Sequence, residues 1–155
     1  MEKRLAKMHD HYIVCGMGRV GSNVARELQR TQRPYVVIES DRSTIDAMLE
    51  HHTDLAYLHD DASDDVSLVR AGLARAKGVF AVTSDDSHNL MIAMSVKLMH
   101  PNVRVVVGGK GPDRPMMDKF ISENALTNVQ FLGFIPDADL VDVFRAADVF
   151  VLGTP

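Results

Sequence analysis

Short runs of consecutive apolar residues alternate along the chain with longer stretches in which apolar residues recur every three or four positions. The short runs are Tyr12 to Cys15, Tyr35 to Glu39, Ala56 to His59, Val79 to Thr83, Val103 to Val107, Val129 to Phe134 and Val149 to Leu152. Because these runs are mostly apolar at every position, they predict strands covered on both faces, as in a parallel sheet. Helical periodicity covers about 19 to 31, 42 to 51, 64 to 75, 86 to 99, 115 to 125 and 138 to 147. Strand and helix therefore alternate over residues 1 to 155, which predicts one α/β domain of three layers, a doubly wound parallel sheet between helices.

The punctuation agrees with these elements. Asp41, Ser63 and Asp85 stand where a side-chain oxygen can accept from the first free amides of the following helix. Gly72 and His100-Pro101 fall near helix ends, and Pro115 and Pro136 at or just before helix starts. The stretch MEKRLAKMHD lacks the apolar core of a signal peptide, and no run approaches the length of a membrane span. A cytosolic location is expected. The single Cys15 follows apolar residues and reads as a buried thiol in a reducing compartment.

Charge narrows the partners. With 17 Lys and Arg against 21 Asp and Glu, the formal charge is −4, which argues against a nucleic-acid binder that works by neutralising phosphates over a broad face. The basic residues are concentrated early, however: residues 1 to 42 carry eight of them against five acids.

That basic segment contains HYIVCGMGRVGSNVARELQR, in which Gly16, Gly18 and Gly21 follow a strand and open a helix in the G-x-G-x-x-G spacing. Gly16 permits a tight turn, Gly18 lets backbone approach a pyrophosphate, and Gly21 lets the helix lie close to the sheet. The helix N-terminus presents free N–H groups and a positive dipole end to phosphates, with Arg19 and Val20 in the turn. The second strand ends in Glu39 followed by Ser40, where a carboxylate can accept from ribose hydroxyls. Glu39 would repel a ribose phosphate, so NAD is preferred over NADP. Together these features make the domain Rossmann-like. The bland alternative is a glycine turn that only packs a helix on a sheet.

From residue 10 to about 107 the chain resembles the N-terminal domain of the RCK family, regulators of potassium conductance in Kef, Trk and Ktr systems and in potassium channels. The resemblance rests on IVCGMGRVG, VVIESD, LHDDASDDVSLVRAGLARAKGVFAVTSDDSHNLMIAMSVKL and NVRVVV. It implies a nucleotide site, for NAD(H) or for AMP, ADP or ATP, whose occupancy alters a dimeric assembly. By this resemblance Gly16, Gly18, Arg19 and Val20 surround the phosphates and Glu39 the ribose. Asp61 and Ala62 lie beside the adenine, and Thr83, Ser84 and Asn89 near the distal half of the ligand. Asp60 departs from the family, which usually has glycine before that aspartate.

Beyond Val107 the text changes. GGKGPDRPMMDKFISENALTNVQFLGFIPDADLVDVFRAADVFVLGTP resembles part of the donor-binding domain of GT-B retaining glycosyltransferases. The acceptor domain and paired-glutamate motif of such enzymes are absent, so the fragment reads as scaffold. Two families joined near Val105 to Gly108 imply a chimera, with engineering and natural recombination both open. The joined sheet is expected in the order 3-2-1-4-5-6. The seventh strand is left with three placements: beyond strand six, antiparallel, or reaching into a second molecule to form a homodimer through the sheet edge or C-terminal elements.

Other chemistry is not supported. The seven His have no zinc-like spacing, no G-x-S-x-G elbow is present, and Met91, Met94 and Leu98 form a helical stripe that reads as core. These readings converge on a non-catalytic domain that binds an adenine nucleotide. A fold scaffold with a vestigial site is the competing reading, and an NAD-dependent oxidoreductase is disfavoured because the chain has no room for a substrate domain.

Overall fold

A computed structural model of the chain describes residues 1–101, 105–108, 114–125, 127, 129–133, 136–139, 142 and 149–152. It opens on a short helix α1 (Glu2–Leu5), which the periodicity does not predict, and continues through β1 (Tyr12–Cys15), α2 (Arg19–Arg30), β2 (Tyr35–Glu39), α3 (Arg42–His51) and β3 (Tyr57–His59). There follow α4 (Asp65–Arg70), β4 (Gly78–Ala81), α5 (Asp86–Met99), β5 (Val105–Gly108), α6 (Arg114–Glu123), β6 (Val129–Gly133) and β7 (Val149–Leu152). Most of the helix expected over 138 to 147 lies outside the described residues.

All the paired strands run parallel, and residues alternate between the two faces as a pleated strand requires. Ile13, Cys15, Val36 and Ile38 enter one buried cluster with Leu5 of α1, Leu68 of α4, and Ile92 and Val96 of α5. Tyr12, Val14, Val37 and Phe80 enter the other, with Val24 and Leu28 of α2 and partly buried Met48 and Leu49 of α3. The α/β class and the doubly wound, Rossmann-like arrangement expected from the sequence are those observed.

The strand order departs from expectation. It is β3-β2-β1-β4-β7-β5-β6, not 3-2-1-4-5-6, because β7 inserts between β4 and β5. Val149 pairs with Val79 on one side and Val105 on the other. The physical reason lies in composition: Val149–Leu152 is apolar throughout and suits a slot paired on both edges, whereas β6 carries Gln130 and takes the edge. β7 is therefore not a free edge, and the expected pairing of that strand with a second molecule loses its basis.

Helix punctuation is mostly as read. Asp41 Oδ2 accepts from the Thr44 amide at 3.0 Å and Asp85 Oδ1 from the His88 amide at 3.0 Å. The α4 cap is Asp64, which accepts from the Val66 amide at 3.0 Å, and not Ser63. Ser63 instead donates its amide and hydroxyl to Asp61 Oδ1, so it belongs to the turn before the cap. The helix expected over 64 to 75 breaks at Gly72, whose φ of 83° ends α4 and starts a 3-10 turn, Leu73–Arg75.

Beneath Gly72 lies fully buried His11, whose Nε2–H donates to the Ala71 carbonyl at 2.8 Å, leaving Nδ1 without a partner among the described residues. Burial lowers the His11 pKa below its usual value, outweighing the carbonyl hydrogen bond that raises it; Arg75 and His9 lower it further and Asp10 raises it. A histidine harder to protonate when folded stabilises the fold fully above its unfolded pKa, about 6.5, and that stabilisation fades as pH falls below it. Melting temperature is thus expected to drop between pH 7.5 and 5, and His11→Gln to flatten this slope in a pH series of thermal melts. An unchanged slope would show that His11 does not titrate differently in the two states.

Candidate functional site

In a parallel sheet the carboxyl ends of all strands open on one edge, and the turns that follow them share that edge. The turns after the first four strands carry the candidate nucleotide-site residues to it. β1 leaves the sheet through Gly16, at φ 96°, whose amide donates to the Ile38 carbonyl at 2.9 Å. A Cβ on Gly16 would sit 2.7 Å from Thr83 Cα, so the turn after β1 is pressed against the one after β4.

Closure is tighter still at Gly21, where a Cβ would lie 1.9 Å from the Gly16 carbonyl oxygen. The opening turn of α2 can lie on β1 only because no side chain intervenes. Gly18 is different: among the described residues, its chain neighbours aside, a Cβ there would meet no atom within 4 Å. Its backbone faces open space at the helix N-terminus.

The start of α2 also differs electrostatically from its neighbours. Asp41, Asp64 and Asp85 cap α3, α4 and α5, whereas Gly18 caps α2 without any side-chain hydrogen bond, and the first turn of α2 holds no acid. The positive end of its dipole and the amides of Arg19 and Val20 are left for an outside anion. Arg19 is exposed and Val20 half-buried on the same turn.

Glu39 locks the second strand to this turn. Its Oε2 accepts from the Met17 amide at 2.7 Å and its Oε1 from the Asp41 amide at 2.9 Å. A carboxylate has about four acceptor sites, so each oxygen retains capacity for a hydroxyl donor. Ser40 is exposed, and its carbonyl accepts from His59 Nε2 at 3.1 Å. Sequence reasoning missed the Met17 amide, because a backbone donor leaves no trace in residue identity.

After β3, the Asp60 amide donates to the Glu39 carbonyl at 3.1 Å, joining the third turn to the second. Asp60, the departure from glycine, turns its carboxylate back to the protein: Oδ1 accepts from the Asp61 amide at 2.9 Å and Oδ2 from Arg70 at 3.0 Å. The Asp61 amide first, with Arg70 adding to it, holds the Asp60 pKa below the ordinary carboxylate range. Asp61 is exposed and lowered in the same direction, chiefly by the Ser63 hydroxyl and amide, with a smaller contribution from His88 at the start of α5. Ala62 is buried next to it.

The fourth turn is built around Asn89. Its Oδ1 accepts from the Thr83 amide and hydroxyl, both at 2.7 Å, and its Nδ2 donates to the Thr83 carbonyl at 3.1 Å. Asn89 is fully buried, so it holds Thr83 in place, while Ser84 is exposed at the rim. Cys15, below the turn, is also buried, and burial pushes its thiol pKa far above the ordinary range, which makes it inert as a nucleophile. Among the described residues no three His, Cys, Asp or Glu are grouped to hold a metal, and no helix is long and apolar enough to cross a membrane.

Known proteins are similar to this chain in sequence and in fold. The family model described as TrkA-N domain matches residues 12–122. Potassium channel protein 1 of Methanocaldococcus jannaschii is 35% identical over 125 residues, which is 81% of this chain and 37% of that relative. The chain thus spans little more than a third of it. The crystal structure of the TrkA-N domain of the Escherichia coli inner membrane protein ybaL has a TM-score of 0.64 at 20% identity, covering 90% of this chain and 97% of that one. The GsuK channel bound to NAD has a TM-score of 0.62 at 15% identity, covering 81% of this chain and 22% of the other. The Shewanella denitrificans Kef CTD in AMP-bound form has one of 0.59 at 17% identity, covering 86% and 75%. Alpha-monoglucosyldiacylglycerol synthase of Acholeplasma laidlawii is 40% identical over 53 residues, 34% of this chain and 13% of that enzyme.

The geometry separates two glycines by a test of stability. Gly21→Ala drives a methyl group into the Gly16 carbonyl and is expected to destabilise the fold by about 3 kcal/mol or more, at the upper end for overpacking. Gly18→Ala meets no such clash and is expected to cost only about 1 kcal/mol, the preference for glycine over alanine at a helix N-cap. Equal effects in chemical denaturation would contradict the packing described.

Proposed function

The chain belongs to the TrkA-N domain family, and on that premise we propose that it is a non-catalytic regulatory domain that binds an adenine nucleotide, NAD(H) or AMP, ADP or ATP, at the carboxyl edge of its sheet. The observation that carries this reading is the uncapped, acid-free start of α2 facing the open space beside Gly18, with Glu39 fixed at the tip of the next strand. Phosphates of the ligand meet the amides of Arg19 and Val20 with Arg19 as counter-charge. The ribose meets Glu39 and Ser40, the adenine lies by Asp61 and Ala62, and the distal half reaches Thr83 and Ser84, held by Asn89. Relatives bound to NAD and to AMP share the adenylate half of the ligand, which is the half this arrangement serves.

Regulation of potassium transport on the cytosolic side is the role this family membership supports, since the relatives include a potassium channel protein. The reading also includes a chimeric origin, with a glycosyltransferase-like part beyond about Val107 completing the sheet without glycosyl transfer; an enzyme 40% identical over 53 residues favours it, while the TrkA-N match running to residue 122 does not. Homodimerisation through a sheet edge belongs to the same proposal, now through β6, whose outer edge is unpaired in the described sheet.

Thermal melts and calorimetry test the binding. A ligand selective for the folded state at a hundred times its Kd stabilises by about 2.7 kcal/mol, so ADP or NAD is expected to raise the melting temperature in a concentration-dependent way. Glu39→Gln, which weakens acceptance from ribose hydroxyls, is expected to cost about 1.5–3 kcal/mol of binding, roughly ten- to hundredfold in Kd. No shift with NAD, NADH, AMP, ADP or ATP at millimolar concentration would favour a fold scaffold with a vestigial site.

A further inference from the structure

Arg70, the last residue of α4, faces two carboxylates from distant parts of the chain. Its Nη1 donates to Asp60 Oδ2 at 3.0 Å and its Nη2 donates to Glu2 Oε1 on α1. Asp60 directly precedes Asp61 and Ala62, and its amide is bound to the Glu39 carbonyl. Glu2 opens a helix whose Leu5 is 1% exposed in the core, and the carbonyls of Leu5 and of Met8, just past the helix, accept from Arg75. One guanidinium therefore joins the loop assigned to adenine with the helix at the start of the chain.

We propose that Arg70 is a positioning residue whose sharing between Asp60 and Glu2 couples nucleotide occupancy to the docking of α1. The proposal rests on the nucleotide reading above. Its mechanism follows from the hydrogen bonds. The Asp61 N–H is donated to Asp60 Oδ1, and an adenine ring nitrogen, a pure acceptor, competes for that N–H when it sits against this loop. Once displaced, the Asp60 carboxylate has Arg70 as its remaining strong partner and draws the guanidinium away from Glu2. A planar guanidinium serves both carboxylates at fixed angles, so motion at one is felt at the other; a lysine ammonium has no such fork. By linkage the effect is reciprocal: weakening the hold of Glu2 on Arg70 favours the occupied state of the loop. The Arg70, Glu2 and Asp60 side chains are 42%, 68% and 31% exposed, so the pair is a solvated one. Its reach is bounded at about fivefold in Kd, the upper end for exposed ion pairs.

The test combines ADP calorimetry with amide hydrogen exchange on the full chain. Glu2→Gln is expected to tighten ADP binding about two- to fivefold, and ADP to speed exchange at the amides of residues 4 to 8. In an Arg70→Lys background Glu2→Gln should leave the ADP Kd unchanged, and 1 M salt should erase its effect in the parent, which a purely structural role for Glu2 would not produce. Without nucleotide, Asp60→Asn leaves Arg70 to Glu2 and should slow exchange in α1. Binding of ADP with no response to Glu2→Gln, or no change of α1 exchange in Asp60→Asn, would overturn the coupling alone. Absence of ADP binding in the unmutated chain would overturn the nucleotide reading and the coupling with it.

Discussion

The contact between Gly21 and the Gly16 carbonyl is the constraint on which the rest of the site depends. With 1.9 Å between a hypothetical Cβ and that oxygen, any side chain at residue 21 lifts the start of α2 off β1. The short reach that follows lets the Met17 amide meet Glu39 at 2.7 Å and leaves the Gly18 backbone facing space. The same geometry that packs a helix on a sheet thus aims a helix dipole at the carboxyl edge of the strands. Packing and binding are separable in this turn because different glycines serve them: Gly16 and Gly21 are closed in, and Gly18 is open.

Around that turn the tips of β1 to β4 are tied to their neighbours by backbone. The Gly16 amide bonds to Ile38, the Val82 amide to Cys15 and the Asp60 amide to Glu39. The side chains mostly reinforce these ties: Glu39 bridges two amides, Asn89 closes the Thr83 turn, and Asp41, Asp64 and Asp85 cap their helices. A rim held this firmly is preorganised for a ligand, which lowers the ordering cost of binding. Asp60 alone among these residues connects outward, through Arg70, to α1.

Much of this was legible in the sequence because it is local. Strands buried on both faces show as unbroken apolar runs, and β1, β2, α3 and α5 fall at the residues predicted, as do the caps at Asp41 and Asp85. What escaped depends on contacts distant in sequence or on backbone atoms. The apolar run Val149–Leu152 marks β7 for a slot paired on both edges, but that the slot lies between β4 and β5 is a property of the assembled sheet and cannot be read from those residues. The cap at Asp64 in place of Ser63 turns on competition between two adjacent oxygens, decided by Asp61. Glu2 and Arg70 lie 68 residues apart, and nothing in either neighbourhood signals the other.

The most direct measurement of the central claim is a titration of the isotopically labelled chain with ADP, followed by amide NMR shifts. The account predicts that the amides of Met17, Gly18, Arg19 and Val20 move first and furthest, saturating together with those of Asp61 and Ala62. Shifts confined to the opposite end of the strands, around Arg33 and His52, or none at saturating ADP, would contradict it.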